Sequence, residues 1–563
     1  MKFSIVFEKT LIYFINLIEK SRQLPLPQII NKRLLISLIT VSSIFFLISL
    51  RLLNVMLFYE KPKTFSHEDS LKKKYRANIV DRRGEILATQ VKTASVYADP
   101  RLIKDPSFVC KKLKKILKNI QEDNLYKKLS SKKAFVWIKR HVTPKQQQEI
   151  NYLGIPGIQL KSDARRVYPY SNISSHVVGY CDIDGFGLGG IERSFESELV
   201  TKSQPIKLSI DIRLQSKIRK ILHDGIKEFK ANGGNAIIMD VKTGELFSMV
   251  SLPDFNPNHP GKINQQSLFN RSTLGVNEPG SIFKIINAAI AFETKSSKID
   301  TIYDATNAYK IGKFKIKDYM GKKRPLSVYE GFVYSSNIVS IKMALEFGKD
   351  AQQKYLKKLG FLSKPSFDIK EVGCPIVPKK YTNATMITAS YGYGIAVSPL
   401  QSIGGIGAVI NDGIYNNPTL IKRENLTEGK RVFSSDTSKK IRALMRMVVL
   451  KGSGNKAAIP GIEVFGKTGT AETVNGKKYS KNSRNTFFIG GFPYHQPKYI
   501  LIVMLDNPKS TNRYGYTTAG WNVVHVAKKM LQTMSTFFHY VPEPEIKQKK
   551  RNDLIQTRYS FKK

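Results

Sequence analysis

Three short segments of this 563-residue chain hold side chains whose types and spacing suit acyl transfer. The first is Pro279-Gly280-Ser281-Ile282-Phe283-Lys284, a helix-initiating turn followed by apolar residues through Phe292. Ser281 and Lys284 stand three apart on one helix and so share a face. A hydroxyl is a poor nucleophile until a base takes its proton, and a lysine can do so only if burial or positive neighbours bring its pKa toward neutrality. The apolar residues around Lys284 meet the first condition. The helix N-terminus adds partial positive charge, and the Ser281 N–H can donate to an oxyanion. In the second segment, Ser335-Ser336-Asn337, a hydroxyl can relay a proton to a leaving amine while the Asn337 amide orients Lys284 and the substrate. The third, Lys467-Thr468-Gly469-Thr470, reads as strand. Its glycine lets a peptide-like substrate approach the strand edge, Lys467, Thr468 and Thr470 can bind a carboxylate, and the Thr470 N–H can complete an oxyanion hole.

Each segment alone is weak. Ser-x-x-Lys recurs at Ser70, Ser130, Ser453 and Ser560, which read as surface decoration, and Ser-x-Asn recurs at Ser453 and Ser480. Lys242-Thr243-Gly244 duplicates the third element, but it precedes the Ser-x-x-Lys and falls in a hairpin turn. Only Ser281, Ser335 and Lys467 occur in order with helix, loop and strand contexts.

Positioning these groups requires a sheet edge with a helix laid across it. Alternation predicts strands over 236–240 and 246–250 around the Lys242 turn, and later over 463–472, 486–492 and 499–506. Helical periodicity marks 212–229 and 521–538. Strands at both ends with helices between predict one mostly antiparallel sheet assembled from distant segments, an α+β architecture, with a strand at 207–211 opening the domain. Upstream, residues 66–200 mix strand-like stretches such as 77–80 with helical ones such as 108–120. Three pieces stand out there: Asp81-Arg82-Arg83-Gly84-Glu85-Ile86-Leu87-Ala88, Arg166-Val167-Tyr168-Pro169 and Gly187-Leu188-Gly189-Gly190-Ile191-Glu192. Turn-forming glycine beside strand residues accounts for them. From residue 546 the chain is polar and basic, which predicts a frayed tail.

Length requires at least two domains, because single cores stop growing near ~250–300 residues. The 91 Lys+Arg against 44 Asp+Glu give +47, yet the basic residues are scattered, without zinc-finger spacing, basic heptads or an aromatic RNA-binding signature, which argues against nucleic acid. Attraction to anionic lipid or an anionic wall is compatible with the charge. Cys110, Cys181 and Cys374 are too widely spaced for a disulfide framework or metal site and read as buried inert thiols. The eight histidines show no paired ligand spacing, so no metal is expected. Residues 34–50 are uncharged and apolar, and the apolar character resumes after Arg51, reaching the ~20 residues that cross a bilayer. The absence of a small-residue cleavage site and the long leader favour an uncleaved anchor. Lys2, Lys9, Lys20, Arg22, Lys32 and Arg33 favour a cytoplasmic N-terminus.

With the three segments in order, the chain resembles the class B penicillin-binding proteins, monofunctional DD-transpeptidases that crosslink peptidoglycan. The resemblance extends to Glu278-Pro279-Gly280-Ser281, Leu208-Ser209-Ile210-Asp211, Gly392-Tyr393-Gly394, Ser398-Pro399-Leu400-Gln401 and the three upstream pieces. It implies a cytoplasmic leader over 1–33, an anchor over 34–58, an α/β pedestal (dimerisation) domain over 59–200, a transpeptidase domain of the penicilloyl-serine-transferase fold over 201–545, and a basic tail over 546–563. It also implies that Ser281, Lys284, Ser335 and Asn337 are catalytic and that Lys467, Thr468, Gly469 and Thr470 bind substrate, without cofactor. Ser281 would attack the penultimate D-Ala carbonyl of a stem peptide, release D-Ala and pass the acyl group to a neighbouring stem-peptide amine; β-lactams would acylate it instead.

Pro253-Asp254-Phe255-Asn256-Pro257, the modest length and the Gly466-Lys467-Thr468-Gly469-Thr470-Ala471 context look most like the septal, cell-division branch, with the elongation branch as the alternative. Either implies a single-pass protein of the inner membrane with a periplasmic catalytic domain and a polytopic glycosyltransferase partner, alongside other divisome proteins for the septal branch. Trp521-Asn522 departs from many relatives, which have a small residue and proline there. Rival readings are a β-lactamase or sensor, a DD-carboxypeptidase and a divisome scaffold with a vestigial serine domain; the pedestal and anchor oppose the first, and the intact motifs the last.

Overall fold

The computed structural model describes residues 28–58, 76–312, 314–425, 428–475, 478–511 and 515–559. Residues 1–27 of the expected leader, and Ser70 and Ser560 among the repeated motifs, lie outside them. The apolar run falls on helix α1, Gln28–Phe58, 31 residues long. Its side chains are described only in part, and among the described residues no helix is long and apolar enough to cross a membrane.

Residues 74–563 form a separate unit. It begins with a five-stranded sheet. Strand β1, Ile79–Val80, pairs antiparallel with the long β2, Ile86–Ala98, which in turn pairs antiparallel with β3, Val136–Val142, and with β4, Ile158–Val167. Helix α2, Pro106–Ile116, lies on this sheet and buries Val109, Cys110 and Leu113 against Val96 and Ile138. Asp105 caps it by accepting from the Ser107 and Phe108 amides, and its first residue is proline.

The three upstream pieces do more than turn the chain. Arg76 and Arg166 each donate through Nε to Glu192 at 2.6 Å, and Glu192 is fully buried. A buried carboxylate of this kind persists only when paired. Asp81 accepts from the Ile212 amide, and Arg82 reaches Glu245, so the first piece fastens the pedestal to residues 212–245.

Strand β5, Ile206–Lys207, runs parallel to β1 and belongs to the pedestal sheet rather than opening the next one. Leu208 then bridges Ile421, and Ser209 donates to Leu246 and Thr419. The alternating Ile206, Leu208 and Ile210 are a strand signal, but their partners are split between two bodies.

Helix α3, Ile212–Glu228, leads into β6, Gly233–Asp240, and β7, Leu246–Leu252. The Lys242-Thr243-Gly244 turn between them stays in the hairpin, as expected, with Gly244 at φ 77°. Helix α4, Lys284–Glu293, comes directly after the nucleophile turn; α5, Val328–Val333, and α6, Asn337–Lys358, flank Ser335; α7 is Ser435–Lys451. The sheet is completed by β8, Phe465–Asn475, β9, Lys478–Phe492, and β10, Tyr499–Asp506. The order is β8-β9-β10-β6-β7, antiparallel throughout. On β10, Ile500, Ile502 and Met504 enter the core that holds α4 and α7, while Leu501, Val503 and Leu505 enter the core shared with α3 and α8, Val523–Phe537. Burial on both faces is why this strand reads as continuous apolar sequence.

Asn522 starts α8 by accepting from the Val523 amide and donating to Thr517. The expected frayed tail instead forms helix α9, Glu545–Tyr559. Arg551 pairs with Glu463 and Glu543, Gln548 donates to Gly461, and Ile555 is buried. A polar composition hid a helix that docks through a few specific pairs. Of the cysteines, Cys110 and Cys181 are buried as expected, but Cys374 is exposed.

Candidate active site

Ser281 lies in a 3-10 turn, Gly280–Phe283, that runs directly into α4 at Lys284. Gly280 has φ 55°, and a Cβ there would fall 2.7 Å from the Thr470 carbonyl oxygen. Likewise a Cβ on Gly469 would fall 3.0 Å from the Pro279 carbonyl oxygen. The nucleophile turn and β8 therefore touch backbone to backbone, which only glycines permit. Behind the turn, the Gly280 amide donates to Gly392 and the Gly394 amide donates to Glu278 at 2.6 Å, so Gly392-Tyr393-Gly394 grips the residues just before Ser281.

Lys284 is almost fully buried, and its Nζ donates to the Ser335 carbonyl at 2.5 Å, to Asn337 Oδ1 at 2.7 Å and to Ser335 Oγ at 3.2 Å. Lys467, also fully buried, donates to the same Ser335 Oγ at 2.9 Å. Burial and the neighbouring Lys467 charge push the Lys284 pKa well down, against an opposing contribution from Asp318. Burial alone brings Lys467 down to about 7. Lowering of this kind enlarges the share of neutral amine, the form that can accept a proton from a hydroxyl.

Ser335 occupies the left-handed region at φ 62°, a conformation unusual outside glycine and often found at functional sites. Asp318, a residue that the sequence motifs do not include, anchors the three residues that follow Ser335. It accepts from Ser336 Oγ at 2.6 Å, from the Asn337 amide at 2.6 Å and from the Ile338 amide at 3.1 Å, which caps α6. No periodic pattern marks Asp318; its only signal is an acidic residue in an otherwise basic stretch.

β8 is an edge strand, so half of its backbone donors and acceptors face away from β9. Thr468 Oγ1 lies 2.5 Å from Ser453 Oγ, and Thr470 Oγ1 accepts from the Ala519 amide at 3.1 Å. Ser453, read from sequence as decoration, thus adjoins the site. The structure brings Lys284, Ser335, Asn337 and Lys467 into one hydrogen-bonded cluster and lays the turn that carries Ser281 against Gly469 and Thr470 of β8. Its chemistry is that of a buried amine base beside a serine at a helix start, with a second lysine and hydroxyls along an open strand edge. Among the described residues no group of His, Cys, Asp and Glu side chains is placed to hold a metal ion.

Comparison with known proteins gives the same picture. The penicillin binding protein transpeptidase domain matches residues 234–532, and the penicillin-binding protein dimerisation domain matches 72–213. A probable peptidoglycan D,D-transpeptidase FtsI of Caulobacter vibrioides is 31% identical over 479 residues, covering 82% of this chain and 81% of that protein. The stage V sporulation protein D of Bacillus subtilis is 28% identical over 94% of this chain and 88% of its own length, and the Escherichia coli peptidoglycan D,D-transpeptidase FtsI is 29% identical over 78% and 80%. The crystal structure of penicillin binding protein 2X from Streptococcus thermophilus superposes with TM-score 0.67 at 20% identity, covering 82% of this chain and 79% of that one, which shows a shared fold. Edge strand, nucleophile turn and both matched domains together make this chain a member of the class B penicillin-binding proteins.

Proposed function

We propose that the chain is a serine-type peptidoglycan D,D-transpeptidase that crosslinks stem peptides during septal wall synthesis and is acylated by β-lactams. The observation that carries this reading is the pair of buried lysines on Ser335 Oγ, one lowered enough to act as a base. A vestigial domain has no reason to keep two buried lysines, whose ammonium forms are costly to desolvate. Ser281 is the nucleophile and Lys284 its base. Ser335 relays the proton to the leaving amine, Asn337 orients Lys284, and Lys467, Thr468, Gly469 and Thr470 receive the substrate's carboxylate and backbone along β8. The Ser281 and Thr470 amides supply the oxyanion donors.

The septal branch is supported by relatives named FtsI in two organisms. A single-pass inner-membrane anchor over 34–58 with a periplasmic catalytic domain is supported by the apolar run, the basic residues before it and the length of α1. The pedestal over 59–200, the transpeptidase domain over 201–545 and a polytopic septal glycosyltransferase partner rest on family resemblance.

The test is to incubate the full chain in detergent with a fluorescent penicillin beside Ser281→Ala. Stable labelling that disappears in the variant supports the reading. Absence of labelling in folded wild type defeats it, and label lost within seconds points to a lactamase.

A further inference from the structure

The repeat Ser453-Gly454-Asn455-Lys456 is part of the surroundings of the site at both ends. Its serine meets Thr468. Its lysine, on the short turn Asn455–Ala457, places Nζ 3.7 Å from the centroid of the Trp521 ring. Trp521 in turn stacks on Tyr516, with centroids 5.4 Å apart and planes 26° apart, and is 37% exposed. A Cβ on Gly520 would come within 3.1 Å of the Ser453 carbonyl oxygen, and Ala519 donates to Thr470. Thr468 and Thr470 lie on one face of β8, since strand residues two apart share a face. Each is tied to one limb of this assembly, and the Lys456–Trp521 contact joins the limbs. An exposed lysine ordinarily samples many rotamers; one seated on an indole face is held electrostatically.

We propose that Lys456, steadied on the Trp521–Tyr516 stack, binds a carboxylate of the acceptor and so orients its amine toward the acyl group on Ser281. The acceptor class is an acidic peptide bearing a primary amine. This deepens, and rests on, the transpeptidase reading.

In the first half-reaction a bond forms between Ser281 Oγ and the donor carbonyl carbon while the donor's terminal amide bond breaks. The Ser281 proton passes through Lys284 and Ser335 to the departing amine. That amine carries a carboxylate, which leaves past Lys467 and Thr468. By microscopic reversibility the second amine enters along the same path. It forms the new amide bond as the ester bond breaks, and its proton returns to Ser281 Oγ. Groups flanking the acceptor amine therefore sweep the ground just beyond Thr468, where Lys456 stands.

The experiment uses the full chain in detergent, a thioester of an N-acylated D-alanine as donor, and one amine-bearing peptide acceptor in two forms, free carboxylate and primary carboxamide. Aminolysis products and penicillin labelling are followed together. Wild type should prefer the carboxylate acceptor by about two- to fivefold, the range of a partly exposed ion pair. Lys456→Met should bring that preference close to one while aminolysis falls further than labelling. Lys456→Arg should keep most of the preference, and Trp521→Ala should lower it part-way. An unchanged preference in Lys456→Met overturns the proposal. So does a parallel fall in labelling and aminolysis, the mark of a merely structural role. Wild type that takes no penicillin overturns the transpeptidase reading itself and this assignment with it, a failure visible before any acceptor is added.

Discussion

Lys284 and Lys467 converge on one oxygen, their Nζ atoms 3.2 and 2.9 Å from Ser335 Oγ. Two buried ammonium groups this close cannot both hold their protons easily, and the one more strongly lowered gives its proton up first. In the proposed function the pair divides into a base, Lys284, and a cation, Lys467, that would face the substrate's carboxylate.

The division sets a pH profile. Penicillin labelling should rise as Lys284 loses its proton and fall as Lys467, lowered to about 7, loses its own. In Lys467→Arg the guanidinium stays protonated, so the falling limb should move to well above neutrality, with a maximum about tenfold lower because the forked group fits a single ammonium's place poorly. A limb that stays near 7 in that variant would show that Lys467 is not its source.

Asp318 should matter to both stability and chemistry. Asp318→Ala removes three hydrogen bonds at the start of α6 and a carboxylate near Lys284. Loss of a cap of this kind costs about 1–2 kcal/mol. The opposing charge also disappears, so the Lys284 pKa should fall further and the rising limb of labelling should shift to lower pH. Chemical denaturation and the labelling profile read the two effects separately.

Gly392→Ala tests the backbone contact behind the nucleophile. Gly392 has φ 93°, and a Cβ there would meet the Gly280 carbonyl oxygen at 1.9 Å. Something must move, and the nearest candidate is the turn that carries Ser281. Labelling should drop by at least about tenfold, with a stability loss of about 1–3 kcal/mol. Gly84→Ala is the comparison: that glycine has φ 99° but no atom within 4 Å of the added Cβ, so it should lose stability without a matching loss of labelling.

Arg551→Ala should unclasp α9. Glu463 has no exposed side-chain area, and burial alone would raise its pKa; hydrogen bonds from His495 and Arg551 outweigh that and hold it below the usual carboxylate range. A depressed folded value contributes stability above the ordinary carboxylate pKa, which is lost as pH falls through the folded value. The variant should therefore lose about 2–4 kcal/mol near neutrality, with the difference from wild type shrinking in acid. Thermal unfolding across pH measures this.

The sequence is most legible where chemistry and local pattern coincide. Ser281, Lys284, Ser335, Asn337 and Lys467 stand in short motifs, and the strands of the second sheet alternate or run apolar, so both could be read from neighbours a few residues apart. Asp318, Ser453 and α9 could not. Asp318 acts across 18 to 20 residues on one hydroxyl and two backbone amides, a partnership without periodicity. Ser453 is exposed and looks like any surface serine until β8 passes beside it. Helix α9 is polar, and its hold depends on Glu463, 88 residues upstream of Arg551. The strand expected over 207–211 failed differently: only Lys207 is strand and Leu208 a bridge, and alternation does not say which sheet a segment joins.

The order of strands has a consequence for biogenesis. β6 lies next to β10 and carries β7 on its other side, so the sheet closes only when residues 233–252 meet residues 465–506. During synthesis the turn that carries Ser281 emerges almost two hundred residues before β8 can come to rest against it. A nascent chain therefore carries Ser281 without its opposing wall and without Lys467. Such long-range closure is slow, but it also means that a prematurely terminated chain, even one displaying the nucleophile, is chemically silent. On the proposed reading, Ser281 is armed only once the late strands of the chain have come to rest against it.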